Sequence, residues 1–288
     1  MGNLRSAGPT ERSRRNPAFP GADFPYPAAV FLWRLILFLT LASASACGQA
    51  SSPPFDPTHA PFGAVLGRFV TNGWVNYAGL KQEPAELDAY LNRLATIPAA
   101  AFANWPKAER LALLLNLYNA QTLRLILDHH PIRSIRNLGV LPGAVWKRPL
   151  VRWGGKTLSL DQLEHEQIRP VFNEPRIHFA LVCAAKGCPP LRGEPYLAAK
   201  LEAQLDDQAR VFLGTTVKNR FDPKAGVLWL SPIFDWYGQD FGADSAGIIR
   251  YVAPYLPADA RAELARATKV EVRFTDYDWS LNELPAAP

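Results

Sequence analysis

The sequence predicts an α+β fold: a single, mainly helical domain with short antiparallel hairpins, placed after an N-terminal signal or anchor segment. Three observations predict it. Segments with helical spacing outnumber extended ones, and the extended ones are brief and joined by tight turns rather than by the crossovers of a βαβ repeat. The longest helical segment, Lys107 to Asp128, is apolar nearly all round, which marks a central, buried helix. With 288 residues and 48% hydrophobic content, the chain is long enough to bury one large core. The expected boundaries are a leader at 1–47, a polar linker at 48–59, the domain at 60–283 and a loose tail at 284–288.

Taken in order, Phe62 to Val70 reads as a short amphipathic helix, and Asn72-Gly73 as a turn before the extended Trp74-Val75-Asn76-Tyr77. Ala85 to Ala95 places Leu87, Tyr90, Leu91 and Leu94 at helical spacing. In the helix from Lys107, Asn116 and Asn119 interrupt the leucines three residues apart, on one face. Buried amides are costly unless hydrogen-bonded, so these two either pin the backbone of a neighbouring loop or line a polar pocket. His129-His130-Pro131 closes the helix, where histidines suit the negative end of its dipole.

Leu150 to Trp153 and Lys156 to Leu158 flank Gly154-Gly155 as a hairpin with a two-residue turn. Ser159 opens a helix with Gln162 in the reciprocal capping position, and Pro170 is expected to stop it. On that helix Asp161, His165 and Ile168 share a face, which makes His165 either a surface partner of Asp161 or a site residue turned inward. Ile177 to Cys183 reads as an extended apolar run, Glu194 to Leu213 as an amphipathic helix, and Val217 to Phe221 with Val227 to Leu230 as a second hairpin. Ile233 to Gly242 is dense in aromatics and acids. Helices at Ser245 to Tyr255 and Ala258 to Ala267 precede a strand at Lys269 to Phe274.

The leader has a basic flank, a short apolar core at Leu35 to Leu41 and a small-residue end at Ala44-Ser45-Ala46, the pattern of an export signal. That core is shorter than the roughly 20 apolar residues a membrane span needs. Cys47 follows directly, as in a bacterial lipoprotein cleavage box, and lipidation there would tether the protein. Cleavage after Ala46 and an uncleaved anchor are the alternatives. Ser13-Arg14-Arg15 has the look of a twin-arginine signal, but prolines separate it from the apolar core; translation from Val30 would instead give a compact signal. The first 47 residues hold five arginines against two acids, so only +2 of the net +5 belongs to the rest. With no dense Lys/Arg run after the leader, a nucleic-acid partner is not expected.

The candidate chemistry lies in Arg176 to Leu191, which ends in a glycine-proline turn and holds His178, Cys183 and Cys188. A nucleophilic cysteine needs a base and an orienting group. Every histidine precedes Cys183, which excludes an unpermuted papain-like or transglutaminase-like order. His178, five residues away, would face the other side of a regular strand, which leaves His165 as the better base, oriented by Asn119 or Asp235. The two cysteines could instead form a disulfide, which export permits, join His165 and His178 around zinc through a loose Cys-x4-Cys signature, or simply pack as buried thiols. Asp235 and Asp240 sit among aromatics that could raise their proton affinity, or cap the following helix.

Several stretches together resemble the DUF547 family, a domain of unknown function: Asn116-Leu117-Tyr118-Asn119-Ala120, Leu158-Ser159-Leu160 with Glu164-His165-Glu166, Arg176 through Leu191, Ser231 to Phe241, and Tyr277 through Asn282. The resemblance spans about Phe62 to Asn282 and implies no settled activity. In plant members the position of Cys188 can be Ser while that of Cys183 stays Cys, which tilts any chemical role toward Cys183 and away from an obligatory disulfide.

The resulting expectation is an exported, membrane-tethered protein of the cell envelope, periplasmic or on the outer face of a membrane. It would act as a thiol-dependent hydrolase or transferase with Cys183 as nucleophile, His165 or His178 as base and Asn119 in support. Asn116, Asp235, Asp240 and Cys188 would contact a small molecule or peptide, and neither a metal nor another cofactor is called for. The alternative is a non-catalytic envelope module that binds a ligand or a protein partner.

Overall fold

The computed structural model describes residues 55–285 except 140 and 142. The expected export signal and Cys47 lie outside the described residues, as does most of the expected linker. Helix α1 (Ala60–Phe69) leads into a two-residue hairpin, β1 (Val70–Thr71) and β2 (Trp74–Val75), turned by Asn72 and Gly73, both at positive φ. Gly73 is obligatory for a second reason: a Cβ there would lie 2.4 Å from the Cβ of Pro190, so the turn packs backbone to backbone on the cysteine loop. Helices α2 (Tyr77–Gln82), α3 (Ala85–Ala95) and α4 (Ala99–Ala103) then wrap α5 (Lys107–His129), of which 15 of 23 residues are buried. A run this rich in leucine forms helix readily, and its all-round apolar surface leaves the centre of the domain as the place that can satisfy it.

Strands β3 (Val151–Trp153) and β4 (Lys156–Leu158) pair through Gly154 and Gly155, both at positive φ. Ser159 caps the next helix reciprocally with Gln162: the Gln162 N–H donates to Ser159 Oγ at 3.0 Å, and the Ser159 N–H donates to Gln162 Oε1 at 3.1 Å. Pro170 does not end this helix. Helix α6 (Leu160–Gln162) passes through a π turn at Leu163–Ile168 into α7 (Arg169–Phe172), and the Arg169 N–H reaches back five residues to the Glu164 carbonyl. The widened turn carries the chain past a proline that has no N–H to give. Such single π turns concentrate at functional sites.

The expected extended run at Ile177–Cys183 is instead one helical turn, α8 (Ile177–Ala180), followed by an irregular segment. The buried side chain of Asn119 explains the difference. Its Nδ2 donates to the Ala180 carbonyl at 2.9 Å and its Oδ1 accepts from the Val182 N–H at 3.0 Å, so these backbone groups need no strand partner. Asn116 does the same for Tyr196, at 2.8 and 2.9 Å. That clamp holds residues 195–197 out of helix, and α9 (Leu201–Leu213) starts later than the spacing suggests.

Strands β5 (Arg220–Asp222) and β6 (Val227–Leu230) form the second hairpin. Helices α10 (Ile233–Trp236), α11 (Gly238–Phe241), α12 (Ser245–Val252) and α13 (Ala258–Arg266) cross over to β7 (Glu271–Phe274), which pairs with β6 in parallel. Capping of α12 falls to Asp244, which accepts from the Gly247 N–H at 2.6 Å, and neither to Asp235 nor to Asp240. The core has two clusters, one around α1 to α5 and one around α9, the three-stranded sheet and α10 to α13. Helix α8 is the seam between them: Ile177 and Ala180 face the first cluster and Phe179 the second. Among the described residues no helix is long and apolar enough to cross a membrane.

After β7 the chain returns across the front of the domain as a strap. Asp278 and Ser280 carbonyls accept from the N–H groups of Gly187 and Lys186, at 2.7 and 2.8 Å, and the Asn282 N–H donates to the Ala184 carbonyl at 3.1 Å. The Asn282 carbonyl accepts from the Val75 N–H at 2.9 Å, while its side-chain oxygen accepts from the buried Tyr77 hydroxyl at 2.7 Å. The strap thus ties the cysteine loop to the first hairpin.

Candidate functional site

Where α8, the π turn, α10 and the strap meet, they enclose a cavity of about 310 Å³. Its polar lining comes from Glu164, His165, His178, Cys183 and Cys188. Its walls are aromatic: Tyr118, Trp146, Trp236, Tyr237, Tyr277 and Trp279. Trp279 stacks on Trp236 with ring centroids 5.8 Å apart and meets Trp146 edge-on at 5.9 Å.

His178 is held from behind. Its Nε2–H donates to Asp240 Oδ2 at 2.6 Å, and Arg169 grips the same carboxylate in a fork, Nε to Oδ2 at 2.9 Å and Nη2 to Oδ1 at 3.0 Å. The ring stacks on Tyr237 at 3.9 Å. Burial pushes the imidazole down to about 4 although the Asp240 carboxylate favours its protonation, so His178 is neutral at pH 7. Its own burial opposes ionisation of Asp240, yet the Arg169 and His178 hydrogen bonds hold its carboxyl below the usual range. With Nε2–H committed to Asp240, Nδ1 keeps the lone pair, facing Glu164 Oε1 at 3.9 Å. Burial raises the Glu164 carboxyl above its ordinary value, against the pull of His165 and of a hydrogen bond from Tyr237.

His165 sits at the rim of the cavity, with its side chain 35% exposed. Arg169 Nη1 donates to its Nδ1 at 2.9 Å, and Asp161 Oδ1 lies 3.7 Å from Nε2. The lone pair that a base would use is therefore occupied by a guanidinium. With a helical turn at Ile177–Ala180 in place of a strand, nothing sets His178 and Cys183 on opposite faces. Both His178 and Cys183 line one cavity.

Cys183 and Cys188 are free thiols whose sulfurs stand 3.0 Å apart. Cys188 Sγ accepts from the Cys183 N–H at 2.9 Å and from the Cys183 thiol, while Cys183 Sγ also contacts the Tyr277 hydroxyl at 3.2 Å. The hydrogen bond to Cys188, together with burial, pushes the Cys183 thiol up. Burial works against ionisation of Cys188, but the two bonds from Cys183 outweigh it and draw that thiol down. Between them Ala184 adopts φ +59°, a left-handed conformation that costs a non-glycine residue about 1–2 kcal/mol, and such outliers cluster at functional sites.

Asn116 and Asn119 do not line the cavity; both ends of each amide are spent on backbone, which positions the cysteine loop and the segment at Tyr196. Asp235 is exposed and lies outside the cavity, so neither it nor Asn119 orients a histidine. Asp240 is the carboxylate that hydrogen-bonds His178. Among the described residues no group of three or more His, Cys, Asp or Glu side chains is placed to hold a metal ion. Sequence reasoning missed Glu164, Arg169, Tyr237, Tyr277 and the tryptophan walls. Glu164, Tyr237 and Tyr277 all fall within the motifs quoted above, and Arg169 lies four residues after His165, within helical reach.

Gly187 keeps this geometry in place, since a Cβ there would lie 2.9 Å from both the Asp278 nitrogen and the Tyr277 ring. Gly187→Ala is expected to cost about 1–3 kcal/mol through overpacking and to move Tyr277 away from Cys183. A lower urea midpoint together with faster alkylation of Cys183 by iodoacetamide would show both effects; an unchanged alkylation rate would mean that Tyr277 does not guard the thiol.

No curated protein and no solved structure matches the chain. The profile of the family described as "Protein of unknown function, DUF547" matches residues 102–213, a segment that contains the π turn, α8 and both cysteines. That match falls on the family that the chain's motifs resemble.

Proposed function

We propose that the protein is an exported, membrane-tethered thiol hydrolase or transferase that acts on a small acyl or peptide substrate at the cell envelope. The observation that carries the catalytic part is one shared cavity lined both by Cys183 and by an imidazole oriented by a carboxylate, the Arg169–Asp240–His178 chain. The leader at 1–47 and the lipoprotein-like Cys47 support export and tethering. Cys183 attacks the substrate carbonyl, its proton passes through a polar group of the substrate to His178 Nδ1, and the leaving group takes that proton on departure. Water then hydrolyses the thioester, or an acceptor takes the acyl group. Glu164, its carboxyl raised by burial, lines the same cavity.

A second reading, a non-catalytic module that binds a ligand or partner among the aromatic walls, is favoured by one fact. Cys183 Sγ hydrogen-bonds Cys188 and Tyr277 and, among the described residues, no imidazole. An activated ester separates the two. With p-nitrophenyl acetate, the catalytic reading expects a burst of nitrophenolate, an acetyl group on the Cys183 peptide by mass mapping, loss of the burst in Cys183→Ala, and about 10²-fold slower turnover in His178→Gln. An undiminished burst in Cys183→Ala would leave only the binding module.

A further inference from the structure

The two thiols that line the cavity carry a second chemistry that needs no substrate carbonyl. We propose that Cys183 and Cys188 are a reversible redox pair: Cys183 receives an exchangeable low-molecular-weight disulfide from the cavity, and Cys188 resolves the mixed disulfide into a Cys183–Cys188 bond.

Geometry supplies each requirement. The sulfurs stand 3.0 Å apart, and a disulfide sets them about 2.05 Å apart, so closure takes about 1 Å of movement. The residues between them form a tight loop: the Cys188 N–H donates to the Ala185 carbonyl at 3.1 Å, and the strap grips Lys186 and Gly187. The pair is therefore brought together by backbone that other parts of the fold already hold. The two sulfurs are also unequal in access. Cys183 is half-buried and opens on the cavity, whereas Cys188 is 4% exposed. Behind Cys188, Lys218 Nζ donates to its carbonyl at 2.6 Å and brings a positive charge near its sulfur. This is the division of labour that exchange requires, with one reachable sulfur and one enclosed sulfur poised to displace it.

The steps balance. With its own proton first released to solvent, Cys188 Sγ takes the proton of the Cys183 thiol as Cys183 attacks one sulfur of the incoming disulfide R–S–S–R; a protein–S–S–R bond forms and RS⁻ leaves. Cys188 gives up the proton to that RS⁻ or to solvent and attacks Cys183 Sγ, releasing the second RS⁻, which is protonated in turn. Two protein thiols are oxidised and one external disulfide is reduced to two thiols. Closure also consumes the nucleophile invoked above, so the same pair would switch that activity off in an oxidising compartment; this last clause alone rests on the proposed function.

The test uses the full chain with oxidised and reduced glutathione as the redox couple, followed by acid quenching, alkylation and peptide mapping, which separates both thiols from Cys47. The wild type is expected to lose alkylation at Cys183 and Cys188 together, to yield one peptide crosslink between them, and to regain both labels with dithiothreitol. Cys188→Ser is expected to stop at a glutathione adduct on Cys183, and Cys183→Ser to form no adduct at Cys188. Full alkylation of both thiols after equilibration with oxidised glutathione would overturn the proposal, as would the same stable glutathione adduct in wild type and Cys188→Ser. Neither readout depends on ester turnover, so failure here leaves the acyl-transfer reading standing, and failure of that reading leaves the redox pair standing.

Discussion

Asn119→Ala is expected to cost about 2–6 kcal/mol of stability, because it orphans two buried backbone groups at once and each loses about 1–3 kcal/mol. Among the described residues the Asn119 amide is the only hydrogen-bond partner of both the Ala180 carbonyl, at 2.9 Å, and the Val182 N–H, at 3.0 Å. Water has little access to replace it, since Asn119, Ala180 and Val182 are all buried. Against a typical domain stability of about 5–15 kcal/mol, a loss of this size is near the limit a fold tolerates. It also falls on the segment that delivers Cys183 to the cavity. Equilibrium urea unfolding measures the loss, and the Cys183 alkylation rate measured well below the midpoint reads the local effect. Asn119→Asp can still accept from Val182 but no longer donates to Ala180, so it is expected to fall between wild type and Asn119→Ala. Lys224→Ala, on an exposed turn, should stay within about 0.5 kcal/mol of wild type. If Asn119→Ala matched Lys224→Ala, the clamp would not hold the cysteine loop.

Acid is expected to destabilise the protein between pH 6.5 and 4, earlier than carboxylate titration alone would. Burial lowers His178 to about 4, and burial likewise lowers His59 to about 4 with the Tyr90 hydroxyl 2.6 Å from its Nδ1. The ordinary value near 6.5 applies once the chain unfolds. Above pH 6.5 both states are neutral and the full stability is present. As pH falls from 6.5 to 4, the unfolded chain binds protons that the folded chain refuses, so stability drops; below about 4 both states are protonated and the loss is complete. Each histidine contributes up to about 3 kcal/mol on this reckoning. Glu164 acts with the opposite sign, because its raised carboxyl is already protonated in the fold where the unfolded chain would be ionised, and its burden is relieved on acidification. The net loss between pH 7 and 4.5 is therefore expected to be about 2–5 kcal/mol by urea unfolding at each pH. His59→Gln should shrink it by about 2 kcal/mol or more. A loss that His59→Gln leaves unchanged would mean that His59 is protonated within the fold.

These expectations show where the sequence could be read and where it could not. The Asn72-Gly73 and Gly154-Gly155 turns, the Ser159 capping box and the buried helix from Lys107 are local features whose causes lie within a few residues, and all form as their residues suggest. The π turn is different: Pro170 announces a stop, yet the helix widens to pass it, with the Arg169 N–H reaching back to the Glu164 carbonyl. Likewise the apolar run at Ile177 has strand-like composition, but an amide 61 residues upstream decides its backbone. The site splits along the same line. Cys183, Cys188, His165 and His178 stand out by residue type. Asp240 joins His178 across 62 residues and Tyr277 joins Cys183 across 94, and no spacing rule reaches that far.

The strap gives the site an order in time. Cys183, Cys188 and both cavity histidines leave the ribosome well before Asp240, Tyr277 and Asn282, so a chain synthesised only to α9 has its thiols but neither the carboxylate behind His178 nor the hydrogen bonds that grip the cysteine loop. The nascent pair is at that stage unguarded, open to any disulfide or electrophile it meets. Folding of the last described segment is thus the event that turns two reactive side chains into a bounded site, and a chain stalled before Tyr277 is the form most exposed to mispairing with Cys47 or with other chains.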